Sequence, residues 1–177
     1  MRITTLTILL SLALLARPAA GDGTPYQNED KSITATLPEG WISKDGRLPG
    51  VSTFGPKSDQ RDVAINEFLD VKSVEQPQPA LTLQQLAPRL AGSVGKTIPG
   101  ATTTEPEEAK VGGKIPAFKF TFSGTKDGDH IKGMKVFALV GSRIYIITYF
   151  SDEKQFDKAL PAAQSIIDSM SITPPKK

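Results

Sequence analysis

The sequence predicts an α+β fold, a three-layer α/β/α sandwich around a mainly antiparallel sheet of about seven strands, with helices on both faces. Three observations carry that expectation. Two apolar runs rich in β-branched and aromatic residues, 134–139 and 144–150, flank Gly141-Ser142. Both faces of the hairpin they would form are apolar. Two amphipathic helical stripes elsewhere in the chain supply covers for those faces.

The hairpin comes first because it sets the frame. A two-residue loop that begins with glycine suits a type II′ turn, whose twist matches paired strands. That turn puts Leu139 opposite Ile144, Ala138 opposite Tyr145, Phe137 opposite Ile146, Val136 opposite Ile147 and Met134 opposite Tyr149. Side chains alternate across a sheet, so the pairs separate into two faces. One holds Val136, Ala138, Tyr145, Ile147 and Tyr149; the other holds Phe137, Leu139, Ile144, Ile146 and Phe150. A sheet with one face in water is not expected from this pattern.

A helix follows. Ser151 or Asp152 can cap it, and Asp152 with Gln155 resembles a capping box. Phe156, Leu160, Ala163, Ile166, Ile167 and Met170 recur at steps of 4, 3, 3, 1 and 3, one helical stripe that packs into a core. Pro161 removes a backbone donor in its middle and predicts a kink or a break there.

From the start of the chain, residues 1–21 read as a signal peptide. Arg2 supplies a positive end, residues 6–16 form an apolar run of 11, and Ala19-Ala20-Gly21 offers small residues for cleavage. The run is shorter than the ~20 residues a membrane-spanning helix needs. No cysteine is present, which excludes a lipid-anchored lipoprotein and disulfides alike. Removing 21 residues from 177 leaves 156, one domain over 22–173 with a short tail at 174–177. The expected location is periplasmic or extracellular, with no transmembrane segment after cleavage.

Residues 22–31 read as a loose polar arm with a short strand near Tyr26. A strand at 33–37, a turn at Pro38-Glu39-Gly40 and Trp41 follow. Trp41 either anchors the core beside that turn or lines a ligand groove. Residues 46–50 read as a loop, 51–54 as a strand ending at Gly55-Pro56, and 62–69 as a further strand; Pro77 and Pro79 stop the sheet. Thr82 and Gln85 form a second capping-box pattern ahead of the stripe Leu83, Leu86, Leu90 and Val94, with Pro88 weakening the middle. A strand before Gly112-Gly113 carries Glu105, Glu107 and Glu108, and its partner at 117–123 places Phe118, Phe120 and Phe122 on one face. Pro106 and Pro116 suit an edge.

Charge narrows the function classes. The full chain has 21 basic and 19 acidic residues, but residues 1–21 contain Arg2 and Arg17 and no acid. The remaining chain is then neutral, with no basic cluster to track phosphates, and nucleic-acid binding is not expected.

The order of elements resembles the PsbP-like fold family, which includes the extrinsic photosystem II subunit PsbP, Ran-binding nuclear proteins and many exported bacterial proteins. The segments that carry the resemblance are 33–41 (ITATLPEGW), 49–54 (PGVSTF), 111–117 (VGGKIPA), 141–145 (GSRIY) and the helix from Phe156 to Met170. A leader peptide and the lack of a cysteine set the chain with the exported bacterial group. The resemblance implies an accessory or binding role without catalysis, through a protein or envelope partner.

Site chemistry is limited by inventory. His130 is the only histidine, which excludes multi-histidine zinc sites, and the lack of cysteine excludes thiolate catalysis. No phosphate-binding glycine loop and no nucleophile elbow occur. The one local constellation is Asp127-Gly128-Asp129-His130. Asp and Gly are ordinary hairpin-turn residues, and that is the favoured reading. The alternative is a Ca²⁺ site on Asp127 and Asp129, in line with the calcium association of photosystem II relatives. No catalytic residue and no resident cofactor are expected. The competing functional readings are a hydrolase or metal-dependent enzyme with an unrecognised site, or a calcium-associated photosystem II subunit. For processing, N-terminal sequencing of the exported protein should find Asp22 first; a chain still beginning at Met1 would overturn the compartment expectation.

Overall fold

The computed structural model describes residues 23–44, 50–57, 68–77 and 80–174. Residues 1–22, and with them the expected leader, lie outside that range, as do most of the loop expected at 46–50 and most of the strand expected at 62–69. The elements run β1 (Thr24–Gln27), β2 (Ile33–Leu37), β3 (Trp41–Ser43), β4 (Val51–Pro56), β5 (Phe68–Glu75), α1 (Leu83–Gly92), α2 (Val94–Thr97), β6 (Thr102–Thr103), β7 (Glu107–Val111), β8 (Ile115–Lys126), β9 (Asp129–Val140), β10 (Arg143–Asp152), α3 (Glu153–Ser169) and β11 (Ser171–Ile172).

The fold is α+β and its strands pair antiparallel. The main sheet has eight strands in the order β3-β4-β5-β10-β9-β8-β6, with β7 also paired to β8. The β9–β10 hairpin lies inside it and has the register the turn predicts, including Leu139 opposite Ile144 and Met134 opposite Tyr149. Gly141 carries φ +62°, the left-handed value that a loop of this type demands at its first residue.

The strand inventory needs three corrections. A separate sheet, ordered β1-β2-β11, stands apart from the main one, so 33–37 is not a main-sheet strand. The arm before it is not loose over β1: Tyr26 is buried, and its hydroxyl donates to Ser52 Oγ at 2.8 Å. β5 also extends to Glu75, well past the expected end at 69. The sequence pattern there was obscured by Asp70, Lys72 and Ser73, polar residues spaced among Leu69, Val71 and Val74.

Helix boundaries follow their caps. Thr82 Oγ1 accepts from the Gln85 backbone N–H at 3.3 Å, and Gln85 Oε1 accepts from the Thr82 N–H at 3.0 Å, the reciprocal box expected for α1. Asp152 caps α3, but it accepts from the Lys154 N–H at 2.8 Å. Neither proline breaks its helix. Pro88 and Pro161 both lie on exposed faces, so the carbonyl each frees turns to water while the buried stripe opposite holds the helix.

The core divides at the sheet. α3 presents Phe156, Ala163, Ile166 and Ile167 to a cluster with Val136, Ala138, Tyr145, Ile147 and Tyr149, closed further by Tyr26, Ile33, Ala35 and Leu37 of the small sheet. α1 presents Leu86, Ala87 and Ala91 to a second cluster with Phe120, Phe122, Phe137 and Ile144. These are the two faces of the hairpin separated by alternation. Trp41 is 8% exposed and belongs to the α3 cluster. Its amide donates to Pro38 O at 3.1 Å across the turn closed by Gly40, whose φ is +79°.

Two substitutions test this packing. A Cβ at Gly133 would lie 2.2 Å from Cζ of Phe122 on the neighbouring strand. Gly133→Ala should therefore cost ~1–3 kcal/mol through overpacking. Phe156, 1% exposed, should cost ~3–5 kcal/mol on truncation to Ala. Denaturant midpoints of both variants are the measurement; an unchanged midpoint for Phe156→Ala would show that α3 does not hold the hairpin.

Candidate functional site

The two faces of the main sheet are not covered alike. α3 and the small sheet close one of them. On the other, α1 packs on the β8–β9 side, and among the described residues no helix lies over β3, β4 and β5. The expectation that the whole second face would be covered therefore needs correction.

Strand register shows what that open face is made of. One row across the sheet reads Phe120, Lys135, Thr148, Asp70 and Thr53, from β8 to β4. The next reads Phe118, Phe137, Ile146, Lys72 and Val51. Beyond it lie Leu139, Ile144 and Val74; on the opposite side lie Phe122, Gly133, Phe150 and Phe68. A polar row thus crosses the sheet between apolar ones. Phe68 and Phe150 meet edge-to-face with ring centroids 5.2 Å apart.

Solvent reaches part of this face, although Thr53, at 0%, and Phe68, at 6%, are buried on it. Among the described residues the exposed large hydrophobics are Ile42, at 40%, and Val74, at 39%. Both point to the open side: Val74 opposite Ile144, and Ile42 opposite Gly55, whose neighbour Phe54 faces the α3 cluster. Ile146, Phe150 and Val51 are half-buried there.

The polar row is partly satisfied. Thr53 Oγ1 donates to Asp70 Oδ1 at 2.8 Å. Lys135 is half-buried; burial among aromatic neighbours, and then the Lys72 charge, hold its ammonium below the usual lysine range. Three other cations of the sheet have carboxylate partners, Lys119 with Glu107 at 3.3 Å, Lys132 with Asp157 at 3.1 Å, and Arg143 with Glu75, whereas the exposed Lys110 and Lys126 pair with none among the described residues. Among the described residues neither Lys135 nor Lys72 has such a partner.

The residues singled out from sequence lie elsewhere. Asp127 and Gly128 form the two-residue loop between β8 and β9, both with positive φ, +54° and +93°, as a type I′ Asp-Gly turn requires. Asp129 opens β9 opposite Lys126, and His130 is exposed with Nδ1 3.4 Å from Thr125 Oγ1. Among the described residues no group of three or more His, Asp or Glu side chains gathers to hold a metal. Trp41 lies within the core cluster and presents little of its indole to a ligand.

Sequence reading missed Lys135, Thr148, Asp70 and Lys72. The signal was present: Lys135 and Thr148 break the apolar face that Phe137, Leu139, Ile146 and Phe150 share. A concavity of about 430 Å³ lies between β1, β2 and Ser169. There the Ser169 hydroxyl is engaged with the Thr36 backbone, accepting from its N–H at 2.9 Å.

No family model matches the chain, and no curated protein matches it in sequence. Solved structures do. The solution structure of cyanobacterial PsbP from Synechocystis matches with a TM-score of 0.57 at 18% identity, covering 90% of this chain and 99% of that one. LpqN, described as involved in cell envelope biogenesis of Mycobacterium tuberculosis, matches with a TM-score of 0.62 at 16% identity, covering 85% and 90%. A Pseudomonas aeruginosa protein of unknown function, described as a putative regulator, matches with a TM-score of 0.52 at 13% identity, covering 87% and 99%. Identities this low speak to the fold, and the fold is PsbP-like.

The lowered affinity of Lys135 for its proton has a measurable consequence. Unfolded, this lysine titrates near its ordinary 10.5; folded, it releases its proton at lower pH. Between those two values the unfolded state holds more protons, so stability from this group rises with pH. The penalty of the buried charge is fully present below the folded value. Lys135→Met should therefore match or exceed wild type in stability at neutral pH, with the difference narrowing as pH climbs towards 10.5. Denaturant titrations across that range measure it; a variant less stable at neutral pH would show that the ammonium is compensated.

Proposed function

We propose, with the PsbP-like fold as premise, that this protein is an exported, non-enzymatic binding or accessory domain that engages a protein or envelope component through the open face of its main sheet. The observation that carries the reading is that Val74 is exposed diagonally across from half-buried Ile146, with half-buried Phe150 two rows along and Ile42 exposed on the edge strand of the same face. Apolar side chains left partly in water along one face of a sheet are a surface that a partner would cover. A three-layer order belongs to the same reading, with α3 and the small sheet on one side and α1 on part of the other; the uncovered remainder is where a partner would complete the layer.

The chemistry present favours binding over catalysis. The one histidine lies beside a hairpin loop and contacts Thr125, and the chain has no cysteine. The polar row pairs its carboxylate with a threonine hydroxyl, and among the described residues no activated nucleophile stands beside it. Export is supported by the leader pattern in the sequence and by the envelope role given in the description of the structurally similar LpqN. No helix among the described residues is long and apolar enough to cross a membrane.

The test pairs an activity screen with a capture experiment. Purified protein should show no turnover of esterase, phosphatase, glycosidase or peptidase substrates, and should retain a specific component from envelope extract that Val74→Glu releases. Turnover that survives repurification and disappears with one substitution on the open face would overturn the reading.

A further inference from the structure

We propose, resting on that reading of the open face, that Lys135 and Lys72 seat the carboxylate of a single-chain amphiphile of the fatty-acid type, whose hydrocarbon chain lies over Ile146 and Val74. The first argument is charge. Among the described residues the open part of the face carries two ammonium groups and one carboxylate, Asp70, which already accepts from Thr53. Lys119, Lys132 and Arg143, on the same sheet, are each matched by an acid, whereas among the described residues these two lysines have no ion-pair partner. They are close enough that the Lys72 charge acts on Lys135. One added anionic group between them would relieve both their repulsion and the desolvation of Lys135.

The second argument is position. Lys135 rises from the sheet floor between Phe120 and Thr148, and apolar rows flank it on both sides. An anion reaching it must bring an apolar body with it, since Ile146 and Phe150 lie in the two rows beside it. The third argument excludes a peptide strand. β10 is paired on both sides over Arg143–Phe150, and β5 over Leu69–Lys72, so around Lys135, Ile146 and Lys72 the sheet offers no free backbone groups. A polypeptide laid across them would leave its own N–H and C=O groups unpaired over phenylalanine and isoleucine. A hydrocarbon chain has no such groups to satisfy.

Isothermal titration with laurate, below its micellar concentration, is the test. Laurate should bind saturably, acetate should not bind, and dodecyl maltoside, an uncharged head on the same tail, should bind at least tenfold more weakly. Lys72→Met/Lys135→Met should weaken laurate at least tenfold. Should the double variant fold poorly, Lys72→Met alone, at an exposed position, should still weaken it severalfold. Absence of laurate binding, equal affinity in a folded lysine variant, or equal affinity for the maltoside would each overturn the proposal. Capture of the envelope component separates the two levels. If Val74→Glu abolishes capture while laurate never binds, the face is the binding surface and the ligand class is wrong. If Val74→Glu leaves both capture and laurate binding unchanged, the face itself is wrong.

Discussion

The β9–β10 hairpin imposes the constraint that shapes the rest of the molecule, because it is apolar on both sides. Alternation sends Val136, Ala138, Tyr145, Ile147 and Tyr149 one way and Phe137 and Ile144 the other. Burying only one side would leave a sheet of aromatic and branched residues in water, at a cost of roughly 25 cal/mol per Å² of apolar area. Two separate cores therefore form, each needing its own cover. α3 follows the hairpin directly and reaches the first; α1, from mid-chain, reaches the second.

That division explains why local irregularities are tolerated. Proline in a helix interior is costly in isolation, by about 3 kcal/mol. Pro88 and Pro161 persist within intact helices because each lies opposite its buried stripe. Gly133 shows the reverse effect. It weakens a strand as a free residue, yet its missing side chain makes the space that the Phe122 ring occupies. Tertiary packing outweighs propensity at all three positions.

What could be read from the sequence follows the same physics. The hairpin register was readable because glycine in a two-residue loop leaves no freedom to slip, and α3 because its stripe keeps helical period across the proline. The small sheet was not readable. β2 has the burial pattern of any half-buried strand, and nothing in its five residues says whether it joins the main sheet or pairs with Ser171-Ile172 from the far end of the chain. The candidate surface was hidden for a related reason. Lys135 and Thr148 look like isolated interruptions until register aligns them with Asp70 and Thr53, which lie far away in sequence. The acidic turn at Asp127 was conspicuous because its residues are neighbours in sequence, and conspicuous residues are favoured by local reading.

The small sheet has a mechanical consequence. β2 is paired on one side by β1 and on the other by β11, and both run antiparallel to it. The chain enters β1 at Thr24, beside Leu37, and leaves β11 at Ile172, beside Ile33, with Thr173 N–H bonded onward to Ser32 O at 2.8 Å. The two chain directions thus exit at opposite ends of the same central strand. Tension applied between them would run along the strands and load the ladders on both sides of β2 in shear, all bonds at once, and would not peel them open one at a time. Of the ways to anchor a small domain by both its ends, this arrangement gives the hydrogen bonds their greatest resistance to a pull.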